Sequence, residues 1–272
     1  MYKHIGILYH PKVERTHKFA EELKAFLPSL DASAWVWSAW DEDGARERMK
    51  QADLVLSVGG DGTVLRAARV AAPLAIPVAG INMGKLGFLT ELSAADARDR
   101  LPAMLSGEGW IDERAMLQAE LAGKKPLHAL NDVVIGRGAI PRVIYIDITI
   151  DDATLTTYKS DGVIIATATG STGYSLALGG PILYPQSNEM VLTPIAPHPT
   201  FDNSLVLPPT SVIQMKVGTD EPAVLSIDGQ VHLALNDGDT MRASLSPRVA
   251  RFLRLQPHTF FYSTLVKRLV PR

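Results

Sequence analysis

Gly59-Gly60-Asp61-Gly62-Thr63 is the stretch of this chain whose residue types are best suited to chemistry. Glycines let a backbone approach an anion closely and adopt dihedrals closed to other residues. A helix that starts immediately afterwards offers unpaired N–H donors to a phosphate. The carboxylate in the middle repels phosphate, so Asp61 needs either a metal ion bridging it to the anion or a hydroxyl proton to accept. Both uses occur in phosphoryl transfer. Taken alone, Asp61-Gly62 also reads as a plain tight turn.

Other segments have the same character. Asn82-Met83-Gly84-Lys85-Leu86-Gly87-Phe88 follows an apolar run and is expected to open on the same sheet edge as Asp61. Asn131-Asp132 precedes Val133-Val134-Ile135, where an amide and a carboxylate can address a base edge and ribose hydroxyls, or simply make a turn. Asp161-Gly162 opens the apolar run Val163-Ile164-Ile165-Ala166, which leads into Thr167-Ala168-Thr169-Gly170-Ser171-Thr172-Gly173-Tyr174-Ser175-Leu176-Ala177. Small hydroxyl residues and glycines can follow the contour of a nucleotide, with Tyr174 offering an aromatic face to a base. A bland Gly/Ser/Thr loop is the alternative.

These segments need a frame that brings them together. Over residues 1–105 short apolar runs alternate with helical patterns, the rhythm of parallel strands joined by crossover helices, and a Rossmann-like α/β domain is expected there. Residues 5–9, 35–37, 54–58 and 77–81 read as strands, the region of Ala20, Leu23 and Leu27 and the run from Val64 as helices, and 94–105 as a helix closed by Gly107. Over 106–255 the pattern becomes period-two and β-branched, with Ile144, Ile146, Ile148 and Ile150 alternating against other residues. A mainly β, sandwich-like domain is expected. The tail 256–272 is helical again, and its helix is expected to return to the first domain. Trp35, Trp37 and Trp40 read as packing residues.

Bulk properties narrow the classes. At 272 residues the chain favours two modest domains over one core, and 46% hydrophobic with 21% charged residues is the composition of a folded protein. A net charge of −2 provides no global field for nucleic acid or an anionic membrane, so neither is an expected partner. Cysteine is absent, which excludes disulfides, thiolate nucleophiles and cysteine zinc sites, and fits a reducing cytosol. The start Met1-Tyr2-Lys3-His4-Ile5-Gly6-Ile7 has no signal-peptide layout. No run approaches the roughly 18 to 20 apolar residues of a membrane-spanning helix, so a cytoplasmic protein is expected.

Gly-Gly-Asp-Gly-Thr, Asn-Met-Gly-Lys-Leu-Gly-Phe-Leu-Thr, Leu-Asn-Asp-Val-Val and Ser-Asp-Gly-Val-Ile-Ile-Ala-Thr-Ala-Thr-Gly-Ser-Thr-Gly-Tyr-Ser occur here in that order, followed by Leu178-Gly179-Gly180-Pro181-Ile182, Pro194-Ile195-Ala196-Pro197-His198 and Ser226-Ile227-Asp228-Gly229-Gln230. In that order and combination the chain resembles the NAD kinase family. Lipid kinases and phosphofructokinases share a Gly-Gly-Asp-Gly-type loop, whereas the segment around Thr172 is similar to NAD kinases in particular.

The resemblance implies transfer of a phosphoryl group from ATP, or from polyphosphate, to the 2′-hydroxyl of the adenosine ribose of NAD, giving NADP. It makes Asp61 the proton acceptor. Gly62 and Arg66 would line the nucleotide site, and Asn131 and Asp132 would hold the adenosine part of NAD. Thr169, Thr172, Gly173, Tyr174, Ser175, Leu176 and Ala177 would wrap the dinucleotide, with Asp161 on the nicotinamide side and Lys159, Arg142, Ala196 and Gln230 as further contacts. It further implies a divalent cation, magnesium by preference, accompanying the donor, with no ligand residues identified. A homo-oligomer, dimer or tetramer, would bridge the dinucleotide between subunits. The chain carries Asp132 where the family commonly has glutamate, Lys159 where it has arginine and Gly173 where it has alanine, which leaves preference between NAD and NADH open. A lipid kinase of the Gly-Gly-Asp-Gly fold and a silent dinucleotide sensor are the rival readings.

Overall fold

The computed structural model describes residues 1–84, 87–140, 142–198 and 201–269. It separates into two compact units, one built from Met1–Glu113 together with the chain from Ala250 onward, the other from Arg114–Val249.

The first unit alternates strands and helices: β1 (His4–Tyr9), α1 (Glu14–Phe26), β2 (Ser33–Ser38), α2 (Glu42–Met49), β3 (Leu54–Val58), α3 (Asp61–Ala71), β4 (Val78–Asn82), β5 (Thr90–Ser93) and α4 (Ala97–Ser106). The strands lie parallel in the order β2-β1-β3-β4-β5. From β1 the chain first builds outward to β2 and then crosses to the other side to make β3. The switch of direction therefore falls between β1 and β3, and open α/β sheets bind ligands outside the carboxyl ends of strands at such a point. β3 and β4 are buried along their whole length, as a parallel sheet covered on both faces requires. Ile5, Ile7, Leu54, Leu56 and Ile81 form its core with Leu23 of α1 and Leu101 of α4.

Two local features set the site. α3 begins at Asp61 itself, three residues before the expected start at Val64, so the carboxylate belongs to the first helical turn, where the helix dipole favours negative charge. A Cβ on Gly80 would stand 2.9 Å from both the Thr90 Cα and Val64 Cγ2, so only glycine lets β4 approach α3 and β5 this closely. The helix expected over 94–105 is Ala97–Ser106, closed by Gly107 in the left-handed region at φ 93°, and the short strand β5 precedes it.

The second unit is β throughout apart from one helical turn region. Leu205–Leu207, Met190–Ile195, Gly162–Ala166, Asp132–Gly136, Ala223–Ile227 and Val231–Leu235 form an antiparallel sheet in that order. Ala153–Ser160, Ile144–Ile150, Ile213–Gly218 and the first half of Thr240–Arg254 form a second antiparallel set. Ile144, Ile146 and Ile148 all point inward and pack in one cluster with Val133, Ile135, Val163, Ile165 and Leu225 of the first sheet, while the residues between them face out. The fold is the α/β plus sandwich-like β arrangement anticipated above. The C-terminal helix Phe260–Leu269 groups with the first unit, where the Phe261 ring lies 6.3 Å from that of Phe88.

Candidate active site

The carboxylate of Asp61 is held from two directions. Its Oδ2 accepts from the Phe88 N–H at 3.0 Å and its Oδ1 from the Leu89 N–H at 3.1 Å, so the loop after β4 does open toward Asp61. Oδ2 also accepts from Arg268 of the C-terminal helix at 3.2 Å, and 28% of the Asp61 side chain remains exposed. Gly87 lies directly beneath the carboxylate, and any side chain there would overlap it.

The loop is itself anchored. Asn82 donates to the Leu92 carbonyl at 3.2 Å and accepts from the Gly84 N–H at 3.0 Å. The Leu89 carbonyl accepts from Arg254 Nη1 at 3.0 Å, and Arg254 pairs with Asp112 at 3.2 Å and Glu91 at 3.4 Å, all three buried. Glu91 accepts in turn from the Leu255 and Gln256 N–H groups.

Beside the Gly59-Gly60 turn a cavity of about 200 Å³ opens at the carboxyl ends of β1, β3 and β4. His10, Arg15, Thr16, Gly59, Gly60 and Gly84 are among its walls. Its position at the switch point, its His10 and Arg15 side chains and its glycine backbone suit a phosphate group.

Gly62 is exposed on the first turn of α3, and Arg66 projects one turn further on, half-buried. Arg66 pairs with Glu42 at 3.4 Å, and its guanidinium stands 4.4 Å from the Trp40 ring centroid, which lies 4.3 Å from that of His10. Burial and the adjacent Arg69 pull the Arg66 guanidinium below the usual arginine range, against the attraction of Glu42. Trp40 therefore packs against both His10 of the cavity wall and Arg66, in keeping with its reading as a packing residue.

In the second unit the sheet register sorts the expected residues into two sets. Ala166 pairs with Asp132 and Ile227 with Val133, so one end of the sheet gathers Asn131, Asp132, the segment after Ala166, and Asp228 with Gln230. The carboxylate of Asp228 accepts from the N–H groups of Leu130 at 3.0 Å, Asn131 at 2.7 Å and Asp132 at 3.2 Å. This strap fixes the Asn131-Asp132 backbone and leaves Asn131 Oδ1 buried with no hydrogen-bond partner. Burial, reinforced by Asp228, pushes the Asp132 carboxyl up to about 7. Thr169 is buried and accepts from Arg114 at 3.3 Å, Thr172 donates to the Thr169 carbonyl at 3.1 Å, and Ser175 is buried beside Thr193. Gly173, Tyr174 and Ala177 are exposed and Leu176 is half-buried, with Tyr174 46% accessible.

The opposite end carries the other set. Gly162 pairs with Ile195 and Gly136, which puts Asp161 and Ala196 there, with Lys159 two residues before Asp161 in Ala153–Ser160, where its carbonyl accepts from the His198 N–H at 2.8 Å. Asp161 pairs with Arg137 at 3.0 Å, Ala196 holds a left-handed φ of 46°, and Arg142 is exposed just ahead of Ile144, the partner of Ser160. The strand Gly162–Ala166 separates the two sets, about 13 Å at ordinary strand rise.

Among the described residues no cluster of three or more histidine, aspartate or glutamate side chains is arranged to hold a metal ion. One carboxylate beside a phosphate-sized cavity fits magnesium of the kind carried by a nucleotide's own phosphates. Arg268, Asp228 and the Arg254 cluster were not singled out from sequence. Asp228 lay within a quoted motif, but the others carry no local signal.

Comparison with known proteins gives a consistent picture. Residues 5–109 match the ATP-NAD kinase N-terminal domain and residues 130–255 the ATP-NAD kinase C-terminal domain. An NAD kinase of Dehalococcoides mccartyi is 46% identical over 274 residues, covering 99% of this chain and 96% of that protein. An NAD kinase of Chloroflexus aurantiacus is 39% identical over 273 residues, with 99% of each covered. Among solved structures, yeast NADH kinase complexed with NADH superposes with a TM-score of 0.86 at 25% identity, covering 98% of this chain and 87% of that one. An NAD kinase from Archaeoglobus fulgidus in complex with ATP gives a TM-score of 0.79 at 24% identity, with 97% and 98% covered, a likeness of fold.

Proposed function

The chain belongs to the NAD kinase family, and from that membership we infer that it is itself an NAD kinase, a phosphotransferase with an alcohol acceptor. The reaction is transfer of the terminal phosphoryl group of ATP to the 2′-hydroxyl of the adenosine ribose of NAD, giving NADP and ADP. The observation that carries this reading is the Asp61 carboxylate, oriented by the Phe88 and Leu89 N–H groups at the switch point of the parallel sheet.

The ribose oxygen attacks the γ-phosphorus while the bond to the β-phosphate oxygen breaks, and the hydroxyl proton passes to Asp61 and then to solvent. A carboxylate is far too weak a base to form an alkoxide beforehand. Proton transfer is therefore late, and the loose transition state of phosphoryl transfer makes small demands on nucleophile basicity. Asp61 orients the hydroxyl as much as it deprotonates it. Gly62, Arg66 and the cavity walls His10 and Arg15 receive the donor phosphates. A divalent cation, were it to arrive with ATP, would supply charge neutralisation on those phosphates.

Asn131 and Asp132 receive the adenosine part of NAD, with Thr169, Thr172, Gly173, Tyr174, Ser175, Leu176, Ala177 and Gln230 around it. Lys159, Asp161, Ala196 and Arg142 lie at the far end of Gly162–Ala166, and this separation supports a homo-oligomer, dimer or tetramer, in which a neighbouring copy supplies the second set. Absence of cysteine supports a cytoplasmic setting, and among the described residues no helix is long and apolar enough to cross a membrane.

A coupled assay for NADP with ATP and polyphosphate in parallel tests the reading, together with light scattering for the oligomer. Asp61→Asn is expected to keep the fold and NAD binding and to lose at least about 100-fold in turnover, the scale of a general base. Near wild-type turnover in that variant would remove Asp61 from the mechanism. Labelling of a diacylglycerol rather than NAD would instead favour the lipid kinase reading.

A further inference from the structure

We propose that Arg268, on the C-terminal helix, is a second catalytic residue, counterion to Asp61 until the acceptor hydroxyl arrives and ligand of the transferring phosphoryl group during reaction. This rests on the NAD kinase reading above and adds a group to it.

The geometry is specific. Arg268 lies in the last turn of the helix Phe260–Leu269 and its Nη1 is 3.2 Å from Asp61 Oδ2. The guanidinium carbon stands 4.8 Å from the Phe88 ring centroid, and Phe88 in turn sits against Phe261 of the same helix. The aromatic face thus braces the cation directly over the loop whose N–H groups hold the carboxylate. The pair is accessible, with 40% of the Arg268 side chain and 28% of the Asp61 side chain exposed.

A surface ion pair of this kind contributes little to stability, so its value is not in holding the fold. Its position matters more. The acceptor hydroxyl must come within a hydrogen bond of Asp61, about 2.7 Å, and its oxygen becomes bonded to the transferred phosphorus. A guanidinium already in contact with that carboxylate is one side-chain adjustment from the equatorial phosphoryl oxygens. Its planar fork of five N–H donors matches phosphate oxygens, and only one of them is used on Asp61. As charge spreads over those oxygens in the transition state, Arg268 turns toward them, and Asp61 is released from its counterion to take the hydroxyl proton. No bond to Arg268 forms or breaks.

The test uses the full-length enzyme with Arg268→Met, which keeps an apolar stem against Phe88, and with Arg268→Lys. Arg268→Met is expected to lower kcat at least about 100-fold while the KM for NAD changes less than about threefold and the melting temperature is unmoved. Arg268→Lys should fall between, and guanidinium salt added at non-denaturing concentration should restore part of the turnover of Arg268→Met and none of Asp61→Asn. Undiminished kcat in Arg268→Met, or a raised one as expected of a residue that merely plugs the site, would overturn the proposal while leaving the NAD kinase reading in place. Wild-type enzyme that forms no NADP would overturn both.

Discussion

Arg254 and Asp61 are joined through a single residue, Leu89, whose carbonyl accepts from Arg254 at 3.0 Å while its N–H donates to the Asp61 carboxylate at 3.1 Å. The Asp61 carboxylate is thus oriented by a peptide group that a buried cation holds in place. That cation is fixed by Glu91 and Asp112, so the charge cluster in the interior of the first unit sets the aim of a half-buried carboxylate.

Replacing Arg254 by methionine fills similar space but leaves the side chains of Glu91 and Asp112, 2% and 1% exposed, without their cation. Stranding buried carboxylates costs about 3 to 5 kcal/mol, so a melting temperature lower by roughly 10 °C is expected. Calorimetry giving a midpoint within about 2 °C of wild type would show that the cluster does not anchor the loop.

The second unit should show a pH dependence traceable to Asp132. Its folded value, about 7, lies above the ordinary 3.8, because burial and then Asp228 disfavour the charged form. Protonation therefore favours the folded state. The contribution is fully present below the ordinary carboxyl value and is lost as pH rises through about 7. Denaturant midpoints measured from about pH 5 to about pH 8 should fall for the wild type, and the slope should flatten for Asp132→Asn, which is neutral throughout. An unchanged slope in the variant would place the titration elsewhere.

Asp228 collects three consecutive backbone N–H groups at a left-handed φ of 52°. Asparagine tolerates that conformation and keeps one acceptor oxygen, whereas alanine does neither. Asp228→Ala is expected to raise the KM for NAD about tenfold or more, from loss of hydrogen bonds worth roughly 1 kcal/mol each, with a smaller rise for Asp228→Asn and little change in the KM for ATP. Equal effects on both substrates would point to general loosening of the second unit.

Much of the site was legible in the chain because its requirements are local. A carboxylate flanked by glycines, following a buried strand and opening a helix, announces itself within the five residues Gly59-Gly60-Asp61-Gly62-Thr63, and the glycine-bearing loop before Phe88 does the same. The alternating isoleucines from Ile144 gave the β character of the second unit, since period-two burial is written directly in residue order. Boundaries were less exact. α3 starts at Asp61 and the helix expected from 94 starts at Ala97, because Asp61 lies where the chain had been read as a turn and β5 takes the residues before Ala94.

Sequence alone determined the fold class and the family likeness and pointed to the carboxylate proposed as the centre of the chemistry, all of which follow from short-range patterns. Only the tertiary structure decided which partners reach that carboxylate and how the residues proposed to hold the dinucleotide divide. Arg268 meets Asp61 across 207 residues, and Asp228 straps Asn131 across 97. Both depend on where a helix docks or how antiparallel strands register. Asp132 and Asp161 stand close to opposite ends of one sheet for the same reason: strand direction, which no local spacing encodes, sends Gly162–Ala166 from one to the other.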